Sequence, residues 1–209
     1  MAMTYGWRYD FWKMMVDAGR DVDMVGSLNG GFNGDADWPD YQGKAFDRDH
    51  EGHWGWPASQ IATELPEWIK TYTPDIAIIL LGTNFPGGEG MTEAARVAAT
   101  KKDIADIIAT LRTKNPKVAI VIGEPFQDWA FFPALSQAYQ DLAKETSTAE
   151  SPVVTQATKE GWVSDIKSPD TCTVDWVHPN QKGDALIAKA FFGAVEGLVK
   201  KSTALTPAP

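Results

Sequence analysis

The chain has a single cysteine, Cys172, among its 209 residues, so no intrachain disulfide can form and a structural zinc site built on several thiolates is excluded. Basic residues are also short: 19 Lys and Arg against 28 Asp and Glu leave a net charge of −9, with no basic stripe anywhere. A phosphate-backbone partner draws its affinity from clustered Lys and Arg, so nucleic acid is excluded as a partner. Long apolar runs are missing too. Residues 76–81 and 118–122 are the longest, far below the roughly 18 that cross a bilayer, and the chain reads as soluble with no membrane partner. The opening MAMTYGWRYDFW has neither a basic n-region nor an apolar h-region, so it is not a signal peptide. That leaves the compartment open, secretion of a longer parent included.

Aromatic residues, by contrast, are plentiful. There are nine tryptophans, and Trp7, Trp12, Trp38, Trp54 and Trp56 all fall within the first 56 residues. Indoles anchor cores and loops wherever they are buried, and they also stack on the flat apolar faces of sugar rings. The first reading is the plainer one for most of them.

Alternating periodicities run through the chain. Trp7, Phe11, Met14, Met15 and Ala18 predict a helix stopped at Gly19, and residues 22–25 predict a short strand. Residues 26–55 are rich in Gly, Asn, Asp and Trp without any period, as functional loops are. Pro57 opens a helix carrying Ile61, Leu65, Trp68 and Ile69, which Pro74 ends. The run DIAIILLG, residues 75–82, is apolar throughout, as a strand covered on both faces must be. Helices over 92–112, 133–144 and 180–200 and strands over 118–123 and 152–155 complete the alternation. This predicts an α/β fold, a three-layer sandwich with a mostly parallel sheet, whose ligands bind at the carboxyl ends of the strands. Residues 1–200 read as one domain and 201–209, small, polar and Pro-containing, as a tail.

The chemistry gathers in a few short segments. In DWVHPNQKG, Asp175 and His178 are three residues apart just before a helix. A general-base imidazole needs an acceptor that fixes its tautomer and stabilises the imidazolium, and a carboxylate at this spacing supplies one. In LLGTNF, Gly82, Thr83 and Asn84 end the most apolar strand, where a side-chain amide can donate to an oxyanion or simply turn the chain. In DRDHEGHWGW, Gly55 lies between Trp54 and Trp56 and offers a backbone N–H. Asp47, Asp49, His50, Glu51 and His53 are dense enough for a metal, but the His50–His53 spacing lacks the H-E-x-x-H register of zinc hydrolases. Hydrogen bonding that stiffens the loop is the expected role, with no metal and no cofactor.

Taken in order, GWRYDFWKMMVDAGRDVDMVGSLNGG, DRDHEGHWGW, PDIAIILLGTN and DWVHPNQKGDALIA resemble the SGNH (GDSL-type) hydrolases, in particular the third carbohydrate esterase family, from about Thr4 to Phe192. The resemblance implies a flavodoxin-like SGNH fold and an ester hydrolase acting on a small-molecule or carbohydrate ester, such as acetyl groups on a polysaccharide. It makes His178 the general base, Asp175 its orienting partner, and Gly55 and Asn84 the oxyanion-hole donors. Trp54 and Trp56, on either side of Gly55, become substrate-binding candidates.

One block of the pattern is missing. Against Gly-Asp-Ser-(Ile/Met)-Thr-Tyr-Gly, the residues Met3, Thr4, Tyr5 and Gly6 match the second half, and Ala2 falls where the nucleophilic serine belongs. Two explanations compete, a start clipped or misassigned at Met3 and a natural start at this point; the first is favoured, and either way the expectation is a chain lacking the first strand and only weakly active. The strands at 22–25 and 75–82 should then pair directly, or a second copy of the chain should fill the gap. Substitute nucleophiles are poor: Thr4 is β-branched and displaced, Cys172 reads as a small buried hydrophobe, and Ser27 and Ser59 read as turn and helix residues. The alternative function is a non-catalytic carbohydrate-binding or interaction protein derived from such an esterase.

Overall fold

The computed structural model describes residues 6–31, 38–85 and 90–204. Within them the elements follow in the order α1 (Gly6–Asp17), α2 (Ala58–Trp68), β1 (Ile76–Ile79), α3 (Glu93–Lys114), β2 (Ala119–Glu124), α4 (Phe132–Thr146), β3 (Val153–Ala157) and α5 (Gln181–Ala204). The strands form a parallel sheet in the order β1-β2-β3, with Ile76 opposite Ala119 and Ile120 opposite Val153. Parallel neighbours require crossover helices, and right-handed crossovers that keep stepping in one direction put α3 and α4 on the same face.

Side chains alternate across the sheet accordingly. Ala77, Ile79, Ile120 and Ile122 pack with α2, α3 and α4, while Ile76, Ile78, Ala119 and Val121 pack with α1 and α5. The result is the expected three-layer α/β sandwich. α3 starts where the Thr92 hydroxyl accepts the Ala95 N–H at 3.2 Å, with Glu93 in its first turn and Arg112 and Lys114 in its last, each complementing the helix dipole. Arg112 also reaches across to hold the carbonyls of Thr146 and Ser151 at 2.8 and 2.9 Å, pinning the end of α4 to the start of β3.

Residues 22–25 do not form the expected strand, and the expected direct pairing with β1 is absent: β1 has β2 as its only strand partner among the described residues. A strand exists only where a neighbour offers a ladder, and here the Met24 N–H donates instead to the Asp47 carboxylate at 2.7 Å. Val22 is nonetheless kept by packing between the α1–α5 layer and the aromatic cluster of Tyr9, Trp12 and Phe46.

The long loop before α2 is held by the groups expected to stiffen it. Residues Leu28 and His50 form an antiparallel bridge. Buried His50 accepts the Gly52 N–H on Nδ1 at 3.0 Å, so its proton is on Nε2, which donates to the Gly30 carbonyl at 2.9 Å. Glu51 accepts from Ser27 N–H and hydroxyl, the Tyr72 hydroxyl and His53 Nε2, all within 3.0 Å. Burial pushes the Glu51 carboxyl up, but these bonds outweigh it and hold it below the ordinary carboxylate value.

Gly82, just past β1, takes φ +110°, and a Cβ there would lie 2.5 Å from the Tyr139 hydroxyl oxygen. That hydroxyl, on a fully buried side chain, donates to the Leu81 carbonyl at 2.9 Å. Tyr139→Phe is expected to cost about 1–3 kcal/mol by orphaning that carbonyl. Gly82→Ala should cost more, because it adds backbone strain to the clash, and the double variant should be less destabilised than the sum. Urea unfolding of the four proteins measures this.

Burial, then the nearby Arg8 charge, lower the pKa of His50 from its ordinary 6.5. The unfolded chain therefore binds a proton that the native state resists, so stability is complete above about pH 6.5 and falls as the pH drops below it. The urea midpoint is expected to decline from pH 7.5 to pH 5, and His50→Gln should flatten that slope.

Candidate active site

The carboxyl ends of the strands meet at one edge of the molecule. The 158–180 connection arrives there as a tight loop, closed by a bridge between Thr173 and Pro179 and by the Thr173 hydroxyl donating to the His178 carbonyl at 2.7 Å. Within the loop, Asp175 Oδ1 accepts the backbone N–H groups of Val177 and His178 at 3.1 and 2.8 Å. This turn leaves Oδ2 facing His178 Nδ1 at 2.7 Å. Burial pushes the Asp175 carboxyl up, but the bonds from the His178 N–H, its imidazole and the Val177 N–H prevail and hold it below the usual carboxylate range. An ionised carboxylate only accepts, so Nδ1 carries a proton, and in the neutral imidazole the lone pair is on Nε2.

The turn has a conformational cost. Trp176, between Asp175 and Val177, sits at φ +66°, a left-handed conformation that strains a side chain with a Cβ by about 1–2 kcal/mol. Its indole is 57% exposed.

Buried Gln127, just past β2, ties this loop to the end of β1. Its amide nitrogen donates to the Val177 carbonyl at 3.2 Å and lies 3.2 Å from the Thr83 hydroxyl. Asn84 follows Thr83 and is exposed. From a third direction, the loop before α2 lays the Trp54 ring parallel to the imidazole of His178, within 9° and with centroids 6.4 Å apart. Gly55, next in the chain, has φ +77°, which a glycine takes without strain.

The structure thus brings Asp175, His178 and Trp54 into direct relation, with Gly55 one residue from Trp54 and Asn84 one residue from the Gln127 bridge. Trp56 is turned elsewhere: its ring packs 4.8 Å from His53 and 5.7 Å from Trp68, against the α2 side of the core. Trp7 lies 4.9 Å from Phe191, and Trp12 and Trp38 lie 5.3 and 4.9 Å from Phe46, so these three are packing residues.

The substitute nucleophiles are engaged in other ways. Cys172 is fully buried, with its sulfur receiving the Val163 N–H at 3.4 Å. Ser27 donates its hydroxyl to Glu51, and Ser59 lies on α2. Ala2, Met3 and Thr4 lie outside the described residues. Among the described residues no group of three or more His, Cys, Asp or Glu side chains is arranged to hold a metal ion. Sequence reasoning missed Gln127, which stands beside Asp128 in an aromatic-rich stretch after β2 with no pattern to single it out, and Trp176, whose backbone conformation no composition reveals.

Comparison with known proteins bears on the fold and the family. The chain is similar to an acetyl esterase, a serine-to-alanine mutant with acetate ion, at 30% identity and a TM-score of 0.75, covering 94% of this chain and 92% of that one. It is similar to a carbohydrate esterase family 3 protein from Talaromyces cellulolyticus at 31% identity and a TM-score of 0.74, over 93% and 91% of the two chains. A Clostridium thermocellum family 3 carbohydrate esterase shares the fold, with a TM-score of 0.71 at 19% identity over 95% and 91%. No curated protein sequence matches. The model of the GDSL-like lipase/acylhydrolase family matches residues 3–186, most of the chain, and the chain belongs to that family.

Proposed function

We propose that this chain is a carboxylic-ester hydrolase domain that removes acyl groups, acetyl above all, from carbohydrate. The observation that carries the reading is the Asp175–His178 pair: one carboxylate oxygen is fixed by two backbone N–H groups, and the other receives Nδ1–H at 2.7 Å. Such a pair has a prepared base at His178 Nε2 and a carboxylate ready to stabilise the imidazolium. The similarity to the acetyl esterase and to the Talaromyces cellulolyticus enzyme supports a carbohydrate ester as substrate.

In the proposed reaction a serine hydroxyl ahead of Met3 attacks the ester carbonyl while His178 Nε2 takes its proton. Asp175 holds the imidazolium that forms. The Gly55 N–H and the Asn84 side-chain amide donate to the oxyanion, where preorganised donors contribute most to lowering the barrier. The proton then passes to the departing sugar oxygen. Water, deprotonated by His178, releases the acid from the acyl-enzyme.

Ala2 carries no hydroxyl where that serine belongs, so residues 1–209 by themselves are expected to be weakly active. An oxyanion hole with substrate binding still leaves roughly 10³–10⁴-fold acceleration over water in triad enzymes. The same Ala2 favours a second reading, a carbohydrate-binding or interaction protein that keeps these residues without turnover.

Hydrolysis of p-nitrophenyl acetate by this chain and by a version with a Gly-Asp-Ser strand ahead of Met3 tests the first reading. The extended version should gain orders of magnitude, and His178→Ala within it should lose roughly 10³-fold or more. Fast turnover by residues 1–209 that ignores His178 would refute the assignment, and oligosaccharide binding with no turnover in either version would favour the second reading. Gln127→Leu in the extended version should lower kcat by about 10- to 100-fold, since it releases the His178 loop from the end of β1.

A further inference from the structure

Residues 53–56 form a tight turn. The Trp56 N–H donates to the His53 carbonyl at 3.4 Å, and Gly55 holds the third position with φ +77°. Such a turn uses its first carbonyl and fourth N–H, so the third N–H is left over. The Gly55 N–H accordingly has no partner among the described residues. Trp54, in the second position, carries the ring that lies parallel to His178. Both residues are exposed, and no atom outside the chain neighbours lies within 4 Å of where a Cβ on Gly55 would stand. The place of the turn is therefore set from its ends. His53, at the start, has its Nε2 2.7 Å from Glu51 Oε1 and its ring stacked on Trp68 at 4.1 Å, within 11°. Trp56, at the far end, packs 4.8 Å from the same imidazole. Glu51 is held from outside the turn: Oε1 by the Ser27 hydroxyl at 2.6 Å, and Oε2 by the Ser27 N–H and the Tyr72 hydroxyl at 3.0 and 2.6 Å.

We infer that His53, through its bond to Glu51, is a positioning residue: it fixes where the 53–56 turn starts, and the turn then sets the Trp54 ring beside the imidazole of His178 and the Gly55 N–H toward the reacting carbonyl. The role toward the carbonyl rests on the ester-hydrolase reading; the role toward Trp54 does not. Each Glu51 oxygen already receives two donors, so the carboxylate is a fixed point rather than a mobile side chain, and His53 is the one donor of the four that belongs to the turn. A displacement of about 1 Å at a group that must meet a transition state can cost roughly 10²-fold in rate, which makes the anchoring of an otherwise unsupported turn a matter of activity as well as stability.

Two substitutions each remove one donor from Glu51, and only one of them lies in the turn. His53→Phe keeps an aromatic ring against Trp68 and loses the bond. Tyr72→Phe loses a bond outside the turn, while Ser27 still holds Glu51 twice. Residues 1–209 contain three histidines, so the His178 ring protons can be followed by proton NMR. They should move in His53→Phe part of the way toward their position in Trp54→Ala, and stay in place in Tyr72→Phe. In the version with the Gly-Asp-Ser strand, His53→Phe should lower kcat by about 10- to 100-fold with KM within about threefold, and Tyr72→Phe should leave kcat within about twofold. Unmoved His178 signals in His53→Phe overturn the proposal. So does an unchanged kcat in that variant, or an equal loss in Tyr72→Phe, which would mark general stiffening of the loop. Moved His178 signals beside a Gly-Asp-Ser version with no turnover of its own would refute the hydrolase reading and leave the hold of His53 on Trp54 standing.

Discussion

A parallel strand covered by helices on both faces has no water for its backbone or its side chains, so neighbours must supply every partner, and β2 meets that condition along nearly its whole length. Ile120, Val121 and Ile122 are fully buried, with alternate residues directed into different helical layers. Its ladder to β1 on one side and β3 on the other fixes the heights at which both neighbours end. Because the three strands run the same way, their carboxyl ends fall together, and each connection leaving that edge has to turn within a few residues. The site is built from those turns.

The turns are coupled to each other rather than independently rigid. Gln127 bonds to loops from the two flanking directions, and Tyr139 holds the Leu81 carbonyl from beneath. The carboxylate of Asp175 is fixed by backbone donors before it ever meets the imidazole, so the geometry at His178 is a property of the turn as well as of the pair. Buried polar groups tied in this way are costly to leave half-satisfied, which makes the whole edge respond to the loss of one member.

What was legible in the sequence follows from how local each signal is. The apolar run of β1 and the three- and four-residue spacing of α1 are written in adjacent residues, and the elements found there coincide with the expected ones to within a few residues. The Asp175–His178 contact was legible for the same reason, being three residues wide. Residues 22–25 have a strand's composition, but a strand is a relation to a neighbour, and the chain turned Met24 to a carboxylate instead. Gln127 was invisible because its partners are 44 and 50 residues away, and nothing near it in the chain announces them. Trp56 looked equivalent to Trp54 on either side of Gly55, yet the partly buried Trp56 ring packs against His53 and Trp68 while Trp54 is exposed beside His178, a difference the local pattern does not carry.

The layer opposite α3 and α4 joins the two ends of the described chain. Phe11 and Met15 of α1 share a core with Ile187, Phe191 and Val195 of α5, and Arg20 forks onto Glu196 across 176 positions of sequence. At translation rates of roughly 5–20 residues per second, about 10–35 s separate the synthesis of those two residues. α1 therefore lacks its α5 partner until α5 emerges, while the opposite layer, whose helices and strands are close in sequence, can already assemble. During synthesis the face formed by α3 and α4 can therefore close before the face formed by α1 and α5.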